Sequence, residues 1–485
     1  MHSEWLGLIP HMFLAGGGIL IWCAGAFWAG RSRNALFIIA VAAVSFSGIS
    51  AGLVAPEKGV FSGMIESGGY ARFFTFLFCC ITLLTLFFCH QYTNIRERSG
   101  DVFLGVMLFA ALGMSLMAGA LNWVIFFLGL ELLSVSFYIL IAFGKNTRLS
   151  GEAALKYFIM GAVASAFLTF GIALLYAATG SLNMALSLDI AFVTPERTLV
   201  FLAMAFLLVG IGFKLSLVPF HLWTPDVYQG AAAPVTAFLA TGSKIAVFAA
   251  LINIVLYAAD SVLQQLIPVL WIMAAATMIA GNFAALGQQQ LKRLLAYSSA
   301  AHMGYMLMAL PGVENHGVEA VIFYAVVYAL MNLGAFGAIG LLSSAKADRN
   351  GKDFSDLDDL DDFKGLGYVY PFKSALLGVC LLSLAGFPPT AGFIGKFILF
   401  KAALSSGYII LSVIGILTAI ISVYYYLKVV AVLYMTNQPK TLHSQDMGLM
   451  GDVACASILT MIIWIGLMPS SLINLIYRIV SFLYV

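Results

Sequence analysis

The sequence predicts an all-α integral membrane protein with about 14 transmembrane helices, and three observations carry that prediction. Hydrophobic residues make up 62% of the 485 and charged residues only 9%, against about 25% charged in soluble globular proteins. The 38 Phe have no place on a water-exposed surface. Apolar runs of about 20 residues recur along the whole chain, long enough to bridge a hydrocarbon core roughly 30 Å thick. Backbone polar groups cannot stay unpaired in lipid, and runs of this length close their hydrogen bonds as helices, not as barrel strands. Soluble multidomain enzymes, disordered chains and nucleic-acid binders are excluded. A net charge of +2 is too small to attract polyanions.

The elements follow in chain order. Residues 1–101 hold spans 1 to 3, near 9–29, 35–55 and 70–90. The stretch before span 1 has Glu4 and no Lys or Arg, so it lacks the basic n-region of a cleavable signal peptide. Residues 102–257 hold spans 4 to 8, near 102–119, 122–143, 153–178, 199–222 and 233–257. Residues 258–434 hold spans 9 to 13, near 263–286, 294–310, 317–342, 372–399 and 407–434, with a polar insertion at 343–371. Residues 435–485 add span 14, near 453–482.

Spans 7 and 12 each carry a Lys deep in an apolar run with Pro close by: Lys214 with Pro219, and Lys396 with Pro388 and Pro389. Pro removes a backbone donor and breaks the helix, which a membrane tolerates only where protein or water satisfies the freed carbonyls. The two spans are five apart, and a five-helix unit repeated in tandem must insert upside down the second time. Spans 4–8 and 9–13 are therefore expected to be inverted repeats, with interrupted helices 7 and 12 marking an ion path near the midplane.

Basic residues concentrate in the odd-numbered connections: Arg31, Arg33, Arg96, Arg98, Lys145, Arg148, Lys292, Arg293, Lys346, Arg349, Lys352, Lys364, Lys373 and Lys440. The even-numbered connections hold only Lys58, Arg72, Arg197 and Lys401. Odd connections are thus expected on the cytoplasmic side and both termini on the other. Within the polar insertion, Asp353, Asp356, Asp358, Asp359, Asp361 and Asp362 lack the Gly and terminal Glu of a calcium loop, and read as a solvated loop or a docking surface. The six Cys form no C-x-x-C and the seven His no H-E-x-x-H, so neither a metal nor a redox centre is expected in this chain.

The informative residues are charges in oil. Glu131 lies near the middle of span 5, Lys214 in span 7, Lys244 in span 8 and Lys396 in span 12. Lys156 is one turn inside span 6, and Lys292 stands at the mouth of span 10. Each central charge costs roughly 2.5–3.5 kcal/mol on insertion scales. Four of them cost on the order of 10 kcal/mol, comparable with a domain's whole net stability. Structural explanations exist for each. Glu152 and Lys156, spaced i,i+4, could form only a helix-end pair, Lys292 beside Arg293 could be a membrane anchor, and Lys396 could snorkel toward Lys401. Glu131, Lys214 and Lys244 lie too deep to snorkel easily, which leaves a buried ion pair as their bland reading. His221 follows Lys214 by two turns, Ser298 precedes His302 by one, and Thr236, Thr241 and Ser243 flank Lys244. Hydroxyl and imidazole groups at helical spacing can hold water in a line, although a lone intramembrane His is as readily a hydrogen-bonded core residue.

Burial disfavours a charged lysine and a nearby carboxylate favours it. Two charges about 4 Å apart at an effective dielectric of about 20 interact by roughly 4 kcal/mol. Moving Glu131 toward or away from Lys214 would therefore load or unload that lysine near neutral pH. The proton would pass to Lys244 and, by way of His302 and Lys292, to Lys396.

The run from Gly212 to Gly230 contains Lys214, Pro219, His221 and the ending Asp226-Val227-Tyr228-Gln229-Gly230. With Leu155-Lys156-Tyr157-Phe158, Lys292-Arg293-Leu294-Leu295-Ala296-Tyr297-Ser298-Ser299, Ser383-Leu384-Ala385-Gly386-Phe387-Pro388-Pro389 and Gly392-Phe393-Ile394-Gly395-Lys396-Phe397, it resembles the proton-translocating module shared by respiratory complex I and cation/proton antiporters. The likeness covers roughly spans 5 to 12. It implies that Glu131 and Lys214 are a charge-switch pair, Lys244 the central relay and Lys396 the exit lysine. It implies proton pumping coupled to electron transfer from NADH to quinone in a cell inner membrane, or, as the alternative, an antiporter subunit without redox coupling. The implied partners are neighbouring membrane-arm subunits and a peripheral arm carrying FMN and iron–sulfur clusters, with no cofactor in this chain. One departure is Ala231-Ala232-Ala233-Pro234, where the family commonly has a further Pro.

Overall fold

Long apolar runs become helices here, and Pro, Gly and polar clusters decide where they stop. The computed structural model describes residues 2–27, 33–53, 57–92, 100–143, 148–258, 260–350, 356–435 and 449–481. Arg31, Arg96, Arg98, Lys145, Lys352 and Lys440 of the orientation argument, and Asp353, lie outside them. The helices are α1 (His2–Phe27), α2 (Arg33–Leu53), α3 (Gly69–Gln91), α4 (Gly100–Ala118), α5 (Trp123–Ala142), α6 (Arg148–Thr179) and α7 (Met184–Val193). Then come α8 (Arg197–Lys214), α9 (Trp223–Gly230), α10 (Ala233–Phe238), α11 (Lys244–Tyr257), α12 (Asp260–Leu286), α13 (Leu291–Ala309) and α14 (Gly317–Asn350). The chain continues through α15 (Leu366–Val369), α16 (Pro371–Ala385), α17 (Ala391–Ser405), α18 (Ile409–Tyr434), α19 (Leu449–Leu467) and α20 (Ser470–Ser481).

Among the described residues, 12 helical segments are long and apolar enough to cross a membrane. The other two expected spans are α13, diluted by Lys292, Arg293, His302 and serines, and the broken pair α16–α17. The expected interruptions are present. Helix α8 stops at Lys214 and α9 resumes at Trp223, with Ser216 at φ 59° in the linker. Helix α16 ends on Gly386 at φ 91°, a left-handed cap that glycine adopts without a Cβ clash, and α17 starts after the two prolines. A third irregularity was not foreseen: a π-helical turn, Leu239–Ser243, joins α10 to α11 immediately before Lys244.

The remaining differences have local causes. Span 14 divides at Pro469, where α19 ends and the short amphipathic α20 tucks Ile476, Ile479 and Val480 inward. A two-stranded hairpin, β1 (Glu57–Val60) against β2 (Ile65–Ser67), interrupts the otherwise all-α fold. The polar insertion is not a solvated loop throughout: α14 runs on to Asn350, and Asp356 and Asp358 are drawn inside by buried partners. Asp361, with an 80% exposed side chain, does fit the solvated reading.

Connections gather by parity, as alternate crossings require. On the even face, Ile65 bridges Ala120, Asn122 bridges Asn183, and Glu66 N donates to Gly119 O at 2.7 Å. Asn122 and Asn183 also cap α5 and α7 through their side chains. On the odd face, Leu291 N donates to Asp358 O at 2.7 Å and Leu360 N to Gln289 O at 2.9 Å. Helices α10, α11 and α14 are almost wholly enclosed by protein. Helices α1, α2, α6, α18 and α19 instead present large apolar side chains outward, among them Ile38, Phe158, Ile409 and Met461. Such a rim is suited to lipid tails or to neighbouring chains.

Candidate proton path

The candidate path starts on α5. Glu131 is half-buried there and accepts a hydrogen bond from Ser165 Oγ of α6. Ser134, three residues further along α5, accepts a hydrogen bond of 2.7 Å from the Lys214 ammonium. The α8 break thus delivers Lys214, buried to 3% exposure, onto the helix that carries Glu131. The rings of Tyr157 and Tyr138 lie 5.4 and 5.8 Å from Nζ, a favourable setting for a desolvated cation. Glu131 and Lys214 share this neighbourhood without a direct ion pair; each holds a serine instead.

Lys244 begins α11, just past the π turn, and is buried. Its Nζ donates to Ser299 Oγ of α13 at 2.7 Å and sits 5.4 Å from the Tyr228 ring. Ser299 is bonded in turn to Tyr328 OH at 2.7 Å, and Tyr328 OH donates to Ala240 O inside the π turn at 3.0 Å. Thr236 and Thr241 do not serve Lys244; the Thr236 hydroxyl donates to Tyr228 O at 3.2 Å and Ala232 O at 3.3 Å, and the Thr241 hydroxyl to Ala237 O at 2.7 Å.

Helix α13 places Ser298, His302 and Tyr305 at i, i+4 and i+7 on one face. His302 Nδ1 pairs with Tyr324 OH at 2.7 Å and Nε2 with Tyr426 OH at 3.1 Å. Ser298 bonds to the same Tyr426 hydroxyl. Tyr305 OH donates to Thr418 at 3.3 Å and accepts from Asn282 Nδ2 at 3.0 Å. Lys396 lies 5.5 Å from the Tyr305 ring and donates to Ala385 O, the carbonyl freed at the α16 break, at 3.2 Å. Between Lys244 and Lys396 the interior is therefore lined by hydroxyl, imidazole and amide groups.

Three expected members lie elsewhere. His221 stays half-buried in the linker after Pro219, and its enclosed Nδ1 meets no partner. Lys156 pairs with Glu152 and with Asp226, each at 2.8 Å, while its side chain is 43% exposed. Lys292 is not between His302 and Lys396. It stands ten residues back along α13, about 15 Å at 1.5 Å per residue, toward the odd face. There its buried Nζ pairs with Asp356 at 2.8 Å and donates to Ala231 O at 3.1 Å. Asp356 also accepts from Tyr92 OH at 2.6 Å and from Ala233 N, the start of α10, at 3.1 Å.

A belt of charge completes the odd face: Arg293 bonds Asp226 at 2.7 Å and Gln229 at 3.1 Å, and Gln229 donates to Asp358 at 2.6 Å. Burial raises the Asp226 carboxyl, but hydrogen bonds and charge from Lys156 and Arg293 outweigh it and leave it below its ordinary range. Burial prevails at Asp358 and holds that carboxyl above its ordinary range, despite Lys292 and Gln229.

Sequence reasoning missed the partners: Ser134, Ser165, Ser299, Tyr228, Tyr305, Tyr324, Tyr328, Tyr426, Asp226 and Asp356. The one-turn spacings Glu131–Ser134 and Tyr324–Tyr328 were the available signals. Nothing in the sequence separated Asp356 from the Asp residues around it. Among the described residues, no group of three or more His, Cys, Asp or Glu is placed to hold a metal ion. A cavity of about 290 Å³ lined by His316, Glu319, Lys401 and Tyr477 includes none of the buried lysines.

Residues 120–422 match the family model described as NADH:quinone oxidoreductase/Mrp antiporter, TM. The chain is 43% identical over 473 residues to NADH-quinone oxidoreductase subunit N 1 of Solidesulfovibrio magneticus, covering 96% of each chain. It is 41% identical over 470 residues to NADH-quinone oxidoreductase subunit N of Geotalea uraniireducens, covering 97% of each. Among solved structures, a chain of respiratory complex I from Thermus thermophilus with bound aureothin matches with a TM-score of 0.80 at 32% identity, over 96% of this chain and 98% of that one. A chain of the Mrp complex from a Dietzia species matches with a TM-score of 0.85 at 21% identity, over 100% and 98%, a likeness of fold alone.

Proposed function

The chain belongs to the NADH:quinone oxidoreductase/Mrp antiporter transmembrane family, and on that premise we propose that it works as the N-type proton-translocating membrane subunit of an NADH:quinone oxidoreductase. The observation that carries the reading is the set of three lysines, Lys214, Lys244 and Lys396, each at most 5% exposed and each held by a single neutral oxygen. An ammonium held this way can give up its proton without stranding an anionic partner. Glu131 supplies the movable opposite charge: drawn toward Lys214 it favours the loaded lysine, and drawn away it favours release. The hydroxyls and imidazole around Ser299, Tyr328, His302 and Tyr426 then offer steps between Lys244 and Lys396. Lys156, Lys292 and His221 lie off that line. We assign Lys156 and Lys292 to the odd-face belt and leave His221 as a group at the α8 break.

The finer architecture belongs to the same reading. Counting α13 and the broken α16–α17 as crossings gives about 14 spans, with residues 1–101, 102–257, 258–434 and 435–485 as the N-terminal spans, the two inverted five-helix repeats and the last span. Odd connections face the cytoplasm and both termini the other side of a cell inner membrane. The partners are the flanking K-type and M-type membrane-arm subunits. NADH oxidation, with the FMN and iron–sulfur clusters, belongs to the peripheral arm. An antiporter subunit without redox coupling is not favoured, since the relatives at 41–43% identity over nearly the full chain are named subunit N.

The test uses the whole complex in sealed vesicles. Lys214→Ala is expected to assemble and to lower proton-coupled quinone reduction by about 10²-fold, the scale of a lost positioned proton carrier. An assembled variant with unchanged pumping would exclude the assigned role.

A further inference from the structure

One acid lies outside the path just described. Glu66 sits on β2, at the even face, and straddles the boundary between protein and surroundings: the residue is half-buried, yet its Oε2 is enclosed and meets no partner. The hairpin does not need this carboxylate for its fold. Its backbone is fixed by Glu66 N to Gly119 O at 2.7 Å and Leu121 N to Met64 O at 3.0 Å, and its apolar side chains Val60 and Ile65 are buried. A glutamine would serve that backbone equally well.

A second unpartnered acceptor lies close by. Asn253 of α11 donates through Nδ2 to Ala118 O at 3.1 Å, the carbonyl next to the one that holds Glu66 N, while its Oδ1 is enclosed without a donor. Both acceptors are enclosed without a donor, and at Glu66 protonation of the carboxyl removes the cost of an enclosed, unpaired anionic oxygen. Asn253 also connects the site to the central lysine, because α11 begins with Lys244 nine residues earlier, about 14 Å at 1.5 Å per residue. Between them Tyr70 OH of α3 reaches the same helix, donating to Ala249 O at 2.7 Å. Tyr70 on α3 and Tyr257 at the end of α11 are titratable groups that feel the charge of Glu66; His11 lies one turn along α1 from Gly7, whose carbonyl accepts from Ser67 of β2, and Glu57 and Lys58 stand on the paired strand β1. Among the described side chains, none is a cation paired with it.

We propose that Glu66 is a proton-exchange acid through which the chamber of Lys244 communicates with the compartment on the even face. In each exchange the Glu66 carboxyl gives its proton to water on that face or takes one from it, and no electron moves. Burial supports this by pushing the carboxyl up to about 7, so that both protonation states are populated near neutral pH. The proposal rests on the proton-translocating reading and adds an opening distinct from Lys396.

The test is run on the complete complex, with Glu66→Gln, Glu66→Asp and Lys214→Ala, and assembly judged by NADH oxidation with an artificial electron acceptor. Infrared difference spectra are expected to show a protonated carboxyl that titrates at about 7 in the wild type, is lost in Glu66→Gln and shifts in Glu66→Asp. Proton-coupled turnover in Glu66→Gln is expected to fall about tenfold or more and to lose its pH dependence in that range, with partial recovery in Glu66→Asp. Absence of a titrating carboxyl, or unchanged turnover and pH profile in assembled Glu66→Gln, overturns the proposal. If Lys214→Ala alone stops pumping, the proposal fails and the subunit reading stands; if neither variant changes pumping, the subunit reading fails too.

Discussion

A lysine without a counter-ion in an apolar interior depends on whatever oxygen it can reach, and at Lys214 that oxygen is Ser134 Oγ. A hydrogen bond to a charged group is worth about 1.5–3 kcal/mol, so Ser134→Ala is expected to disfavour the loaded lysine by about that amount. Proton-coupled quinone reduction should slow while assembly is kept, which a vesicle acidification assay reads directly. Asp358 gives a second expectation at this scale. Its folded carboxyl holds a proton more tightly than an unfolded one, so folding takes up a proton there. Stability is therefore lost as pH rises from the ordinary carboxylate range, about 4, toward the raised value. Asp358→Asn should flatten that slope in thermal unfolding of the purified complex as pH rises above about 4. Glu131, Lys214, Lys244, Lys396 and His302 were legible in the sequence because a charge or imidazole in an apolar run is visible in one dimension. Their partners were not. Tyr426 lies 124 residues from His302, and a tyrosine in a span looks like any other core aromatic until the fold brings it near.

The element with the clearest mechanical role is the strap at 356–360, which carries Asp356 to Lys292 and to the first amide of α10. Asp356→Ala leaves the Lys292 ammonium buried and unpaired, a loss of about 3–5 kcal/mol. Replacing both, as Asp356→Leu with Lys292→Met, should recover most of it. The exposed pair Lys364–Asp361 makes the contrast, since Asp361→Ala is expected to change stability by at most about 1 kcal/mol. Denaturation midpoints of the four proteins compare these directly. Helix breaks at Pro219 and Pro388 could be read from the sequence because proline acts through local sterics. The π turn before Lys244 and the inward course of the strap could not, because both depend on distant packing: Tyr328 reaches the carbonyl in the turn, and Lys292 waits for the strap.

At the scale of the whole molecule, the contacts between connections sort them onto two faces by parity, the arrangement that alternate crossings produce. The sorting is open to test with an impermeant thiol reagent on sealed vesicles. Ser62→Cys and Asp361→Cys, both at exposed positions, are expected to react from opposite sides of the membrane. Reaction of both from one side would overturn the alternation. The sequence could not reveal which spans are internal, because a helix that faces protein and one that faces lipid are apolar alike.

That difference between internal and peripheral helices has a practical outcome. Exchanging the bilayer for detergent alters what touches Ile409, Phe158 and Met461, whereas Lys244 and His302 keep the same neighbours on every side. Activity that disappears on delipidation and returns with added lipid is then to be understood as a loosened grip on adjoining subunits, the inner polar groups having kept their arrangement throughout.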